Sequence, residues 1–154
     1  MARAEDHIHL ANKNDEALQY FLKAHDRFPE WVTTLAFYKA VQIVDALCVE
    51  KRRRVPSGHP DRLDWLERVP EFQPLYRHFR ALHSASCIAR YLSDKASNQT
   101  YNSFSQFLTP DEVVSKLIEH RLIPIEQYSI SQFSEPLKKL LTQTDRSALP
   151  KTGP

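Results

Sequence analysis

Tyr76-Arg77-His78-Phe79-Arg80-Ala81-Leu82-His83-Ser84-Ala85-Ser86-Cys87-Ile88-Ala89-Arg90-Tyr91 decides the fold, because two stripes of different chemistry share one helical period in it. Leu75, Phe79, Leu82, Ser86 and Ala89 follow one another at steps of four, three, four and three, which on a 3.6-residue repeat is one face turned to a core. Ala81, Ser84, Ala85, Ser86 and Ala89 keep the second half of the helix thin, so another helix can approach it closely. Tyr76, Arg80, His83, Cys87 and Arg90 fall three, four or seven residues from His83 and form a second, basic stripe beside the first. A helix with a core edge and a basic edge predicts a helical bundle that carries its chemistry on one exposed face.

The rest of the chain agrees with that class. At 154 residues it is long enough for one sizeable core and short for two. Two glycines and an abundance of Leu, Ala, Glu, Lys, Arg and Gln are the palette of helix formers. A net charge of +2 is too mild to argue nucleic-acid binding without a localised basic patch. Cys48 and Cys87 match no zinc or haem spacing and read as buried, reduced thiols. The first residues have no apolar leader core, and no run approaches the ~18 apolar residues of a membrane span, so the expectation is a cytoplasmic protein without a membrane partner.

Helical periodicity is clearest from Asp15 to Phe28 and stops at Pro29. Glu30 to Arg53 follows as a longer helix with apolar residues on more than one stripe, hence the most buried of the domain. Asp45, inside Ile43-Val44-Asp45-Ala46-Leu47, is its sharpest polar anomaly and reads as a structural acceptor for Arg90, Tyr91 or Tyr38. Lys51-Arg52-Arg53-Arg54 closes the helix with four cations, suited either to the helix dipole or to phosphate. A turn through Pro56 and Gly58 leads to a short helix ended by Pro70, and the quoted helix extends to about Lys95. After a polar loop over 97–103, Thr109, Pro110 and Glu112 form a capping box. Periodicity weakens beyond Pro124, with one more short helix over 134–141. The domain is expected to span 1–141, with disorder over 142–154. No repeat, phosphate-binding loop, dinucleotide fingerprint or nucleophile elbow occurs, and no cofactor is implied.

Taken together, Trp31-Val32-Thr33-Thr34-Leu35-Ala36-Phe37-Tyr38-Lys39-Ala40 with Val44-Asp45-Ala46-Leu47, then His59-Pro60-Asp61-Arg62, then Tyr76 with Leu82, Ser86 and Ala89-Arg90-Tyr91, resembles small bacterial proteins of the HEPN (higher eukaryotes and prokaryotes nucleotide-binding) class. The resemblance covers about residues 8 to 122. It implies an all-α, up-and-down bundle of four to five main helices plus short ones, commonly a homodimer through its central helices. Many relatives are metal-independent endoribonucleases of toxin–antitoxin or phage-defence systems, the former with a cognate antitoxin; others are non-catalytic binding modules. Active relatives carry an Arg, then four to six intervening residues, then a His. Two segments satisfy that pattern here: Arg77 to His83 within the helix, and Arg54 to His59 across the turn. Arg80, Arg90, Tyr76 and Arg62 are the accompanying candidates for RNA or phosphate, and Asp45 and Tyr91 the structural polar groups.

The chemistry explains the residue types. A 2′-hydroxyl must lose its proton as it attacks the adjacent phosphorus, which suits an imidazole with an ordinary pKa near 6.5. A guanidinium supplies fixed, planar donors for the doubly charged phosphorane, and neither role needs a metal. On one helix Arg77 and His83 lie about 120° and ~9 Å apart, so convergence requires long side chains or a two-fold axis that brings two copies of the stripe together.

Overall fold

The computed structural model describes residues 1–151 as an all-α bundle with one small hairpin. Its helices are α1 (Ala4–Leu22), α2 (Pro29–Arg52), α3 (His59–Arg68), α4 (Gln73–Tyr91), α5 (Pro110–Glu112), α6 (Ile123–Gln132) and α7 (Glu135–Leu140). Between α5 and α6 the helix continues as a wide π-type segment over Val113–Leu122, and strands β1 (Ser93–Asp94) and β2 (Gln99–Thr100) pair antiparallel after α4. The second helix is the axis of the bundle. It packs along α1 and also meets α4, the π segment and α6, which is why Val32, Ala36, Phe37, Ala40, Ile43, Val44 and Leu47 on several sides of it are all buried. By length and composition alone α2 is apolar enough to cross a bilayer, contrary to the sequence expectation that no run approaches a span, but most of its apolar surface is covered by other helices of the bundle.

Prolines set where helices begin. Pro29, Pro60, Pro74, Pro110 and Pro136 each occupy the first turn of a helix, where the missing N–H has no intrahelical partner to lose. The Thr109 box forms as expected: the Glu112 amide donates to Thr109 Oγ1 at 3.2 Å, and the Thr109 amide to Glu112 Oε1 at 3.0 Å. Pro124 is the instructive case. It reads in sequence as a place where helical order fades, yet α6 runs on through it. The preceding turns are widened, with the Ile123 N–H donating to the Ile118 carbonyl five residues back, and a widened turn makes room for the ring that would clash in a regular helix. The fourth helix stops at Tyr91 instead of reaching Lys95. Leu92 takes the left-handed conformation at φ 56°, which turns the chain back so that β1 can pair with β2 and the Leu92 carbonyl can accept from the Tyr101 amide at 2.9 Å.

The least expected core feature is Lys39, fully buried in the middle of α2. Its ammonium donates to Asp15 Oδ1 of α1 and to Glu126 Oε2 of α6, both at 2.8 Å, and lies 3.4 Å from Thr144 Oγ1. Glu126 in turn accepts from the Thr144 amide and hydroxyl, each at 2.7 Å. This clamp corrects the expected disorder after residue 141: the chain over 142–151 is ordered, with Leu141 and Thr144 buried and a short 3-10 turn at Arg146–Ala148. The same expectation for 152–154 lies outside the described residues. Replacing Lys39 with Met should destabilise the fold by about 3–5 kcal/mol, because two buried carboxylates lose their shared cation. Urea unfolding followed by circular dichroism measures this, and a loss under ~1 kcal/mol would show that the ammonium is dispensable.

Candidate functional site

The fourth helix presents its two stripes as the sequence suggests. Leu75, Phe79, Leu82, Ala85, Ser86 and Ile88 are buried, whereas Tyr76, His83, Cys87 and Arg90 are half-buried and Arg77 and Arg80 exposed. The exposed face carries two clefts in succession. Near its start, Tyr76, Arg77, Arg80, Ala81 and Ser84 face Arg121 of the π segment around about 390 Å³. Nearer its end, His83, Cys87 and Tyr91 face Ser93, Asp94, Lys95 and Ala96 of the hairpin around about 460 Å³. The left-handed turn at Leu92 creates the second cleft by folding β1 back beside the helix.

Neither Arg/His pair of the sequence pattern comes together within one protomer. Arg77 lines the first cleft and His83 the second, because six helical residues separate them along and around the axis. Arg54 lies with its guanidinium 4.5 Å from the centre of the Trp65 ring, in a basic pocket shared with Arg52 and Arg68. His59 turns inward. What the fold assembles is a different grouping, with the His59 and His83 rings 5.4 Å apart and both against Phe37 of α2, at 5.0 and 5.4 Å. The chain places His59 at the first turn of α3, opposite the middle of α4, and Phe37 fills the gap between them.

Each histidine has an arginine beside it. Arg62, one turn after His59 on α3, donates from Nη1 to His59 Nδ1 at 3.1 Å. A guanidinium is always the donor, so Nδ1 is the acceptor and the imidazole is neutral. The rest of Arg62 is held by Asp45 in a two-pronged pair, Nε to Oδ1 at 2.8 Å and Nη2 to Oδ2 at 2.7 Å. The partner of the buried carboxylate is therefore Arg62, and the expected Arg90, Tyr91 and Tyr38 have other places. Arg90 donates from Nη1 to the Tyr38 hydroxyl at 3.2 Å and from Nε to the Ser86 carbonyl at 3.2 Å. Tyr91 is 68% exposed and stacks under Arg90, so it is a surface ring and not a structural polar group of the core.

Burial and these cations act on the histidines in one direction. Burial first, then Arg62, His83 and Arg90, push His59 down to about 4. Burial and Arg90 also lower His83, with Asp94 opposing, and burial with Arg77 and Arg121 lowers His78. The imidazoles at this face are neutral at pH 7, the form that accepts a proton. The two cysteines, both expected buried, differ: Cys48 is buried and its thiol is pushed up to about 12, mainly by burial, whereas Cys87 is half-exposed on the His83 cleft. Among the described residues, no group of three or more His, Cys, Asp or Glu side chains is placed to hold a metal ion. Phe37, Arg121, Asp94 and Lys95 join the site without having stood out in the sequence, since only tertiary packing brings them to α4.

No family model, no curated protein and no solved structure matches this chain.

Two outcomes follow from the geometry. Asp45→Ala should destabilise by about 2–4 kcal/mol, because the Arg62 guanidinium would be left largely buried without its counter-ion; denaturant midpoints read this, and a change under ~0.5 kcal/mol would mean that the pair contributes no more than a surface contact. Stability should also fall as pH drops from about 6.5 towards 4. A histidine whose folded pKa is depressed binds fewer protons folded than unfolded in that window, so acid favours unfolding there. His59→Phe should flatten the pH dependence of the melting temperature between those limits, and an unchanged slope would assign it to other groups.

Proposed function

We propose that this chain is a HEPN-like, cytoplasmic, RNA- or nucleotide-phosphate-binding protein, working as a homodimer, that cleaves RNA without a metal at the exposed face of α4. The observation that carries the reading is the order of groups along that helix. Three guanidiniums, Arg77, Arg80 and Arg121, surround one cleft, and among the described residues none of the three is ion-paired to a carboxylate. One turn past Arg80, and less than two past Arg77, a neutral imidazole opens onto the next cleft. Arginines without a carboxylate partner are donors open to an anion, Arg121 also reaching His78 Nδ1 at 3.4 Å, and a strand laid along α4 would set its phosphates on them and bring a 2′-hydroxyl to His83. His83 accepts that proton, and guanidinium charge stabilises the phosphorane. Arg80 lies one turn before His83, and in a homodimer the Arg77 of a second copy would approach the same groove. In a toxin–antitoxin or phage-defence system, a cognate antitoxin would act by covering this face.

The second reading is a non-catalytic HEPN-like interaction module. It is favoured by Arg62 being fully engaged with Asp45 and His59, and by Arg77 and His83 lining separate clefts in one protomer.

Incubation of the purified protein with mixed RNAs in the presence of a chelator decides between them. The nuclease reading expects cleavage that His83→Ala lowers by roughly 10²–10⁴-fold while RNA affinity is nearly retained. Arg77→Gln and Arg80→Gln should each weaken RNA binding and reduce its salt slope by about one. Binding with that salt dependence but no cleavage establishes the module. Equal cleavage by wild type and His83→Ala removes His83 from the chemistry. Light scattering should give twice the 18.0 kDa chain mass, and a monomer at tens of micromolar would eliminate the shared groove.

A further inference from the structure

The second cleft holds a pair of which the RNA reading uses only the histidine. Cys87 Sγ lies 3.7 Å from His83 Nε2, one helical turn away on α4, and both line the hollow of about 460 Å³ closed by Ser93, Asp94, Lys95 and Ala96. We propose that Cys87 is a thiol–disulfide exchange site, which takes a low-molecular-weight disulfide into this cleft and becomes a mixed disulfide.

Four features support it together. The sulfur is reachable, since Cys87 is half-exposed and borders open volume on the hairpin side. A proton acceptor is in hydrogen-bond reach of the thiol, and it is a neutral imidazole fixed by its contacts with Phe37 and His59. The Arg90 guanidinium stands in the next turn of α4, where it donates to the carbonyl of Ser86, the residue before Cys87. Finally, the hollow has the size of a small ligand's pocket and mixed polar lining, with Lys95 available to a carboxylate of the incoming thiol compound. Cys48 has none of these: it is buried in α2 among apolar side chains.

The step balances without a further oxidant. His83 Nε2 takes the Sγ proton, the thiolate attacks one sulfur of the disulfide, and a new S–S bond forms as the old one breaks. The displaced thiolate recovers the proton from the imidazolium and leaves as a thiol. One disulfide and one protein thiol give one mixed disulfide and one thiol, and excess thiol reverses the reaction. The adduct then occupies the cleft beside His83. This inference stands on the Cys87–His83 geometry alone and does not depend on RNA binding or cleavage.

The probe is oxidised glutathione, added to the native full chain, with adducts located by peptide mass mapping and rates followed by intact mass. The expected result is a single adduct on Cys87, formed at least tenfold faster than on the cysteines of the urea-unfolded chain at the same pH. Cys87→Ser should take up none, and Cys48→Ser should behave as wild type. His83→Phe, a substitution of similar shape against Phe37, should slow the reaction tenfold or more while circular dichroism and melting show the fold retained. Should His83→Phe not fold, His83→Gln supplies the same comparison. Labelling at Cys48 in place of Cys87, a native rate no higher than that of the unfolded chain, or undiminished labelling in folded variants lacking His83 would each overturn the proposal.

Discussion

A lysine with no access to water can keep its charge only where carboxylates replace the lost hydration, and Lys39 meets that condition with Asp15 and Glu126. The constraint reaches across most of the bundle. Asp15 belongs to α1, Lys39 to the middle of α2 and Glu126 to α6, so one ammonium fixes the mutual rotation of three helices. Apolar packing alone tolerates small slips of one helix past another, whereas a buried charge tolerates none, because every misregistered arrangement strands an ion. Glu126 adds the C-terminal segment through Thr144. With α2 locked from one side, its opposite side becomes a fixed platform, and Phe37, two residues from Lys39, is held where it can support His59 and His83.

A second buried pair does similar work nearer the site. Asp45 and Arg62 tie α3 to α2, and the same guanidinium reaches His59. The position of His59 opposite α4 is thus inherited from a charge pair two turns further along α2 than Phe37. In both cases a polar group inside the bundle gives direction to packing that hydrophobic area alone leaves loose. The face they support stays comparatively unsatisfied: Arg77, Arg80 and Arg121 border a cleft instead of carboxylates. Among the described residues the buried ions are paired, whereas Arg77, Arg80 and Arg121 have no carboxylate partner.

Much of this was legible in the residues. The stripe of Leu75, Phe79, Leu82 and Ser86 foretold the buried side of α4, and Thr109-Pro110-Asp111-Glu112 foretold the cap of α5, since both patterns depend on neighbours within one turn. What stayed hidden depends on distance in sequence. Asp45 stood out as an anomaly, but its partner lies 17 residues on, across a turn whose direction no local pattern dictates. Lys39 carried a usable signal, a cation in a helix apolar on more than one side, yet its partners sit in α1 and α6. The two Arg/His pairs were chosen by spacing along the chain, whereas packing selects by proximity and joined one histidine from each. Pro124 misled because its cost in a regular helix is real and is avoided here only by the widened turns before it.

The histidine pair also couples proton and anion. Next to guanidiniums and partly withdrawn from water, His59 and His83 hold protons weakly. A phosphate arriving at this face would add negative charge where the Arg62 and Arg90 charges outweigh those of Asp45 and Asp94, and the same electrostatics would then favour the imidazolium. The two affinities must change together: whatever factor the anion contributes to proton binding, the proton contributes to anion binding. Under the proposed nuclease reading, a base neutral in the empty protein and strengthened by an arriving phosphate would be well matched to a reaction that begins by removing a proton beside that phosphate. The match comes from desolvation and two arginines, and needs nothing else from the fold than the short distance between α3 and α4 across Phe37.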